Sequence, residues 1–99
     1  MQITSIKDKR VKALNDDATL TAVKGFNAVQ VRKVTTMLAA IRVMTDPLQL
    51  TGVSGWRAHE LKGDRKGTWS LSVTGNERLT FVVDIEAQTA SLLDYEDYH

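Results

Sequence analysis

The side chains best suited to catalysis lie in the second half of this chain, beyond residue 55. His59, Lys62 and Arg78 supply an imidazole and two cations. The sequence then ends on a carboxylate, a phenol and a second imidazole: Asp97, Tyr98 and His99. Imidazole, carboxylate and phenol groups can transfer protons, and fixed cations stabilise charge that develops on phosphate oxygens. These residue types therefore suit acid–base cleavage of a phosphodiester without a metal ion.

Each of these residues has a simpler explanation when it is taken alone. A single histidine is more often structural or exposed than catalytic, and Lys62 and Arg78 are individually ordinary surface charges. Metal binding by His59, Asp97 and His99 is not favoured, because no HxxxH or CxxC spacing accompanies them. The sequence also contains no phosphate-binding loop, dinucleotide fingerprint or GxSxG motif. We therefore predict no metal site and no cofactor.

The composition predicts one small domain, residues 1–99, with the apolar content of an ordinary globular chain: 42% of its residues are hydrophobic. There is no cysteine, so the fold depends on no disulfide. No apolar run approaches the roughly 20 residues needed to cross a bilayer, and the first residues lack the apolar core of a signal peptide. We expect a cytoplasmic protein with no membrane partner.

Charge is unevenly distributed along the chain, although the net charge is only +1. Seven of the 13 basic residues precede residue 34, whereas Arg78 is followed by five acidic residues and no basic one. A basic body suits a polyanionic partner such as nucleic acid. Ordinary solvated charges explain the same pattern, and on charge alone that explanation is preferred.

The strongest helix signal lies in the first half. Asn27 is a good N-cap, Gln30 completes a capping box, and the helix should end near Thr45 because Asp46-Pro47 disfavours continuation. Four apolar residues repeat at helical spacing and predict the buried stripe: Val31, Val34, Leu38 and Ile41. A shorter helix is predicted over 7–15, after a short first strand over 2–6.

Beyond Pro47 the apolar period changes from 3.6 to 2, which is typical of strands. Strands are predicted over 56–61, 68–74, 78–83 and 89–94, with turns at 63–67, 75–76 and 86–87. The fold class is therefore α+β, with the N-terminal helices packed on one face of a mainly antiparallel sheet of about four or five strands.

The alternation also predicts which residues share a face of this sheet. A register that buries the aromatic and aliphatic residues under the helix puts Arg57, His59 and Arg78 on the opposite face, with Ser70 and Ser72. An ordinary hydrated sheet face would give the same pattern, and alternation alone favours that reading.

The run HELKGDRKGTWSLSVTGNERLTF and the ending LLDYEDYH resemble the HigB-type toxins of bacterial toxin–antitoxin systems, also called plasmid maintenance system killer proteins. These toxins belong to the RelE superfamily. The resemblance is dense from residue 55 onward and loose before it. Three motifs carry it in order: LKGDRKG, GN-x-R-x-TF and YEDYH. Two residues depart from the family pattern: Glu60 stands in place of a common proline, and Glu77 in place of a common aromatic residue.

The resemblance implies a RelE-like fold and an mRNA endonuclease that acts on the ribosome, needs no metal and inhibits translation. Its motif residues carry over to His59, Lys62, Arg78, Asp97, Tyr98 and His99. We also expect three further cations to bind RNA: Arg57, Arg65 and Lys66. In such a reaction the 2′-hydroxyl attacks its own phosphate, and the residues alone leave open which group is the base and which is the acid.

The partners that the resemblance implies are the ribosome, mRNA and a HigA-like antitoxin with a helix-turn-helix domain, through which the complex would bind operator DNA. Two alternatives remain. One is a binding module on the same fold, either similar to a gyrase poison or a catalytically weak co-regulator. The other is a stand-alone RNA-binding domain, for which the aromatic RNA-binding motifs are missing.

Overall fold

The computed structural model describes residues 1–97, which form two α-helices and one five-stranded sheet. The helices are α1 (Lys9–Asp16) and α2 (Ala28–Val43). The strands are β1 (Gln2–Ile3), β2 (His59–Glu60), β3 (Thr68–Ser72), β4 (Glu77–Asp84) and β5 (Thr89–Asp97). Single 3₁₀ turns occupy Pro47–Leu50 and Gly63–Arg65. The predicted α+β class, with helices on one face of a mainly antiparallel sheet, is confirmed.

The strand order is β1-β5-β4-β3-β2. Strands β2 to β5 form an antiparallel meander, whereas β1 pairs parallel with β5. The two shortest strands therefore lie at the two edges, and the long strands β4 and β5 form the centre. Among residues 1–97, no helix has both the length and the apolar character that a membrane crossing demands.

Local signals in the sequence set the start of α2. The side chain of Asn27 accepts a hydrogen bond from the Gln30 amide at 2.8 Å, and Gln30 Oε1 accepts one from the Asn27 amide at 2.7 Å. This is the predicted capping box. The helix ends at Val43, two residues before the predicted end.

The core lies between α2 and the covered face of the sheet. The apolar stripe of α2 is buried, including Val34, Leu38 and Ile41, and it meets Leu79 and Phe81 of β4. Full burial of such a side chain contributes roughly 1.5–3 kcal/mol. This packing fixes which face of the sheet remains for chemistry.

Three predicted strands are shorter than expected, and the one predicted over 68–74 ends at Ser72. The strand predicted over 56–61 is only His59–Glu60, because Gly55 (φ +85°) and Arg57 (φ +48°) adopt left-handed conformations that interrupt extended backbone. The strand predicted over 2–6 ends at Ile3. Conversely, β5 runs to Asp97 rather than 94, since β4 pairs with it along that length.

Candidate active site

The candidate site lies on the sheet face turned away from the helices. In the strand register, His59 pairs with Ser70, and Arg78 pairs with Ser72 on one side and Glu96 on the other. Alternate residues of a strand point to opposite faces, so these five share one face, called the polar face from here on. The predicted placement of His59 and Arg78 together is confirmed.

One strand, β3, separates these two side chains on the polar face. Standard strand spacings put the Cα atoms of His59 and Arg78 roughly 12 Å apart. A long guanidinium side chain and an imidazole can span that separation from opposite sides of a phosphodiester.

The centre of the polar face is buried, whereas its margin at His59 is exposed. Ser70 is 0% exposed and Thr80 is 1% exposed. Arg65 and Glu96 hold an ion pair on this face: Arg65 Nη1 lies 2.9 Å from Glu96 Oε1, and Nη2 lies 2.6 Å from Oε2. The hydroxyl of Thr80 donates to the same carboxylate.

Glu96 is a member of the site that sequence reasoning missed. The Arg65 guanidinium, and then the Thr80 hydroxyl, hold the pKa of Glu96 below its ordinary value, so the carboxylate stays ionised. The two parallel hydrogen bonds give Arg65 a defined position. Extending the predicted last strand by three residues would have put Glu96 on the face of Arg78.

His59 is exposed, and its ring is oriented by the main chain. Nδ1 lies 2.8 Å from the carbonyl oxygen of Arg57 and donates a proton to it in the tautomer this bond requires. In the neutral ring, the basic lone pair is therefore on Nε2, the nitrogen that can exchange a proton with a substrate. Arg78 is half-buried, and its Nη1 donates to Ser72 Oγ at 3.2 Å.

The two loop lysines lie apart from the strands. Lys62 caps the Gly63–Arg65 turn, and Lys66 follows it; both are exposed and line a pocket of about 320 Å³. Glu60 closes this loop by accepting from the Gly67 amide at 2.9 Å. Glu60 pairs with Trp69 in the register and so faces away from His59, as predicted.

A scan against models of known protein families returned no match. Endoribonuclease HigB of Proteus vulgaris is 36% identical over 97 residues, which cover 98% of this chain and 99% of that protein. The chain belongs to the HigB family. The resemblance carried by the three sequence motifs is thereby confirmed.

Solved structures share the fold of this HigB-family chain. The YoeB/ParE toxin from Agrobacterium tumefaciens superimposes with a TM-score of 0.62 at 15% identity, with each chain covered in full. The YoeB dimer from Staphylococcus aureus gives a TM-score of 0.58 at 16% identity, covering 100% of this chain and 97% of the other. At these identities the likeness establishes the fold.

The end of β5 brings one further predicted residue to the sheet of this HigB-family chain. Asp97 pairs with Glu77, so strand parity assigns it to the face opposite that of Arg78. Its side chain is exposed. The remaining two members of the predicted terminal trio, Tyr98 and His99, lie outside the described residues.

Glu77, which departs from the HigB pattern beside Arg78, lies on the helix side of the sheet. Its Oε1 accepts hydrogen bonds from Gln30 Nε2 at 2.8 Å, Thr74 Oγ1 at 2.9 Å and the Tyr95 hydroxyl at 2.8 Å. The bond from Tyr95 is the main reason that the pKa of Glu77 is lowered. This carboxylate therefore links α2, β4 and β5, and it does not point onto the polar face beside Arg78.

The ring of Tyr95 lies under a cation on the same side. The Arg10 guanidinium carbon is 4.4 Å from the Phe26 ring centroid and 5.0 Å from that of Tyr95. Burial, and then the bond to Glu77, raise the pKa of Tyr95. Within residues 1–97, no three histidine or acidic side chains converge in a way that would hold a metal ion.

Proposed function

We propose that this HigB-family chain is a toxin that cleaves mRNA on the ribosome, with the 2′-hydroxyl of the substrate as nucleophile. The observation that carries the proposal is the shared face of His59 and Arg78, a proton-transfer group and a cation separated by one strand. The endoribonuclease name of the relative from Proteus vulgaris supports the same reaction class.

The proposed reaction needs no group beyond side chains. A base takes the proton of the 2′-hydroxyl, whose oxygen attacks the adjacent phosphorus. The bond from phosphorus to the 5′-oxygen breaks, and an acid protonates that oxygen. The products are a 2′,3′-cyclic phosphate and a free 5′-hydroxyl. Arg78 stabilises the charge on the pentacoordinate phosphate.

His59 supplies one of the two proton-transfer groups through Nε2, and Tyr98 or His99 supplies the other. Lys62 adds a second cation near the phosphate. We assign contacts with the RNA backbone to three further cations: Arg57, Arg65 and Lys66. Arg65 would do so from the fixed position that Glu96 gives it.

The partners follow from the same proposal. We infer a cytoplasmic toxin that acts on the ribosome and is held inactive by a HigA-like helix-turn-helix antitoxin, through which the complex contacts operator DNA. The solved YoeB–YefM complex from Staphylococcus aureus shares the fold, with a TM-score of 0.56 at 18% identity over 100% of this chain and 97% of that chain. In that structure YoeB is in complex with YefM, which supports an antitoxin partner here.

The experiment is a translating extract with a defined message, with cut sites mapped by primer extension. Cuts inside codons, lost with His59→Ala or Arg78→Ala and kept with the exposed-surface control Lys9→Ala, would support the proposal. A matching message without a start codon separates cutting on the ribosome from cutting of free RNA. Intact mRNA together with inhibited DNA supercoiling would overturn the proposal in favour of a gyrase poison.

A further inference from the structure

A second basic site lies along the edge of β3, beyond the end of the short strand β2. It is a pocket of about 280 Å³, called the basic pocket here, and six residues that line it are Lys33, Gly55, Arg57, Ser72, Thr74 and Gly75. At this edge of β3 the Ser72 amide donates a hydrogen bond to the Trp56 carbonyl at 2.7 Å. The sequence pattern did not single out Lys33.

Lys33 and Ser72 offer hydrogen-bond donors to a ligand. Lys33 Nζ donates to the Val73 carbonyl at 2.9 Å, and this bond holds the ammonium at the pocket. Two of the three ammonium protons remain for bonds to a ligand. Ser72 Oγ accepts from Arg78, so its own proton is available to another acceptor. Thr74 is different, because its hydroxyl donates to Glu77.

Arg57 connects the basic pocket to the polar face. Its left-handed backbone (φ +48°) points the carbonyl oxygen at Nδ1 of His59, 2.8 Å away, while the residue also lines the pocket. Ser72 makes a second connection, since it lines the pocket and bonds Arg78. The pocket therefore adjoins both proposed catalytic side chains, one through each connection.

We propose that the basic pocket binds a backbone phosphate of the RNA strand, next to the phosphate that is cleaved between His59 and Arg78. Two cations, one available hydroxyl and no carboxylate among the six lining residues named above suit a phosphate anion. The inference rests on the proposed RNA substrate. It assigns Lys33 and Arg57 to the binding of one backbone phosphate of that RNA. A bound phosphate there would hold the strand in register with the reacting group.

The test measures binding of an oligoribonucleotide with 2′-O-methyl groups throughout, which cannot be cut, at several salt concentrations. Lys33→Gln should weaken binding and reduce the slope of log affinity against log salt by about 0.7, the contribution of one phosphate contact to a single strand. Lys33→Arg should keep the slope. Lys24→Gln, which removes an exposed lysine of the loop before α2, is the matched control.

Arg57→Asn is a second variant, because asparagine tolerates the left-handed conformation while it removes the charge. Slopes equal to that of the unmodified protein in both Lys33→Gln and Arg57→Asn would overturn the inference. Inorganic phosphate that binds as tightly as the oligonucleotide would also overturn it, because the site would then be a general anion site. Oligonucleotide binding that depends on Lys33 without any cleavage of translated message would instead refute the proposed function and leave the pocket assignment standing.

Discussion

The hydroxyl of Tyr95 donates a 2.8 Å hydrogen bond to Oε1 of Glu77, across the pairing of β4 with β5. This oxygen also receives donors from α2 and from the turn before β4. One carboxylate therefore joins three parts of the fold on the side opposite the candidate site.

Glu77→Ala should destabilise the protein by about 1.5–3 kcal/mol, the range for a hydrogen bond to a charged group. Gln30 and Tyr95 would lose the partner that their polar atoms now share. Urea denaturation measures the change, and the exposed residue Glu86, changed to Gln, serves as the control. Unchanged stability in Glu77→Ala would show that solvent replaces these bonds at no cost.

Stability should fall in acid because two carboxyls are tied to donors in the folded state. Tyr95 lowers the pKa of Glu77, and Arg65 lowers that of Glu96. A group whose folded pKa is depressed stabilises above its unfolded pKa, and that stabilisation is lost as pH falls through the folded pKa. Denaturation midpoints should thus decline below about pH 4.5, the ordinary value for Glu. Glu77→Gln should flatten this decline, and a slope identical to that of the unmodified protein would contradict the assignment.

His59→Ala should reduce cleavage of translated message by about 10²–10⁴-fold, the usual contribution of one acid–base group. The side chain is exposed, so the melting temperature should stay the same. Cut-site yield against time gives the rate, and calorimetry checks the fold. Full activity in this variant would remove His59 from the proposed mechanism.

Glu96→Gln should lower cleavage without removing a group that touches RNA, because it releases Arg65 from its two-point ion pair. A displacement of about 1 Å at a reacting centre can cost up to about 100-fold. Arg65→Lys should show a similar loss, since an ammonium cannot make the paired bonds. A double variant no worse than either single one would identify Glu96 as a positioning residue, whereas additive losses would argue for separate roles.

The features that could be read from the sequence were those set by neighbours along the chain. The capping box of Asn27 and Gln30, the buried stripe of α2 and the shared face of His59 and Arg78 all follow from local spacing. Alternation along a strand determines which of its residues point to the same face. The predicted common face of His59 and Arg78 was therefore correct, although the predicted bounds of β2 were not.

The features that were missed depend on contacts between distant segments. The parallel pairing of β1 with β5 joins residues more than 80 positions apart, and no local pattern encodes it. The bend at Arg57 requires a left-handed residue that is not glycine, for which the sequence gives no signal. Glu96 joined the site only because β4 extends its partner strand to Asp97.

Strand β4 presents Glu77 to the helix side of the sheet and its neighbour Arg78 to the polar face. Adjacent residues therefore act separately, Glu77 in stability and Arg78 in the proposed cleavage. On the proposed function, cells that survive expression of this protein should therefore carry two kinds of substitution. Changes on the Glu77 side would deplete the soluble protein. Changes on the Arg78 side would leave normal amounts of a harmless one. Immunoblots of surviving clones would sort the two groups without any assay of RNA.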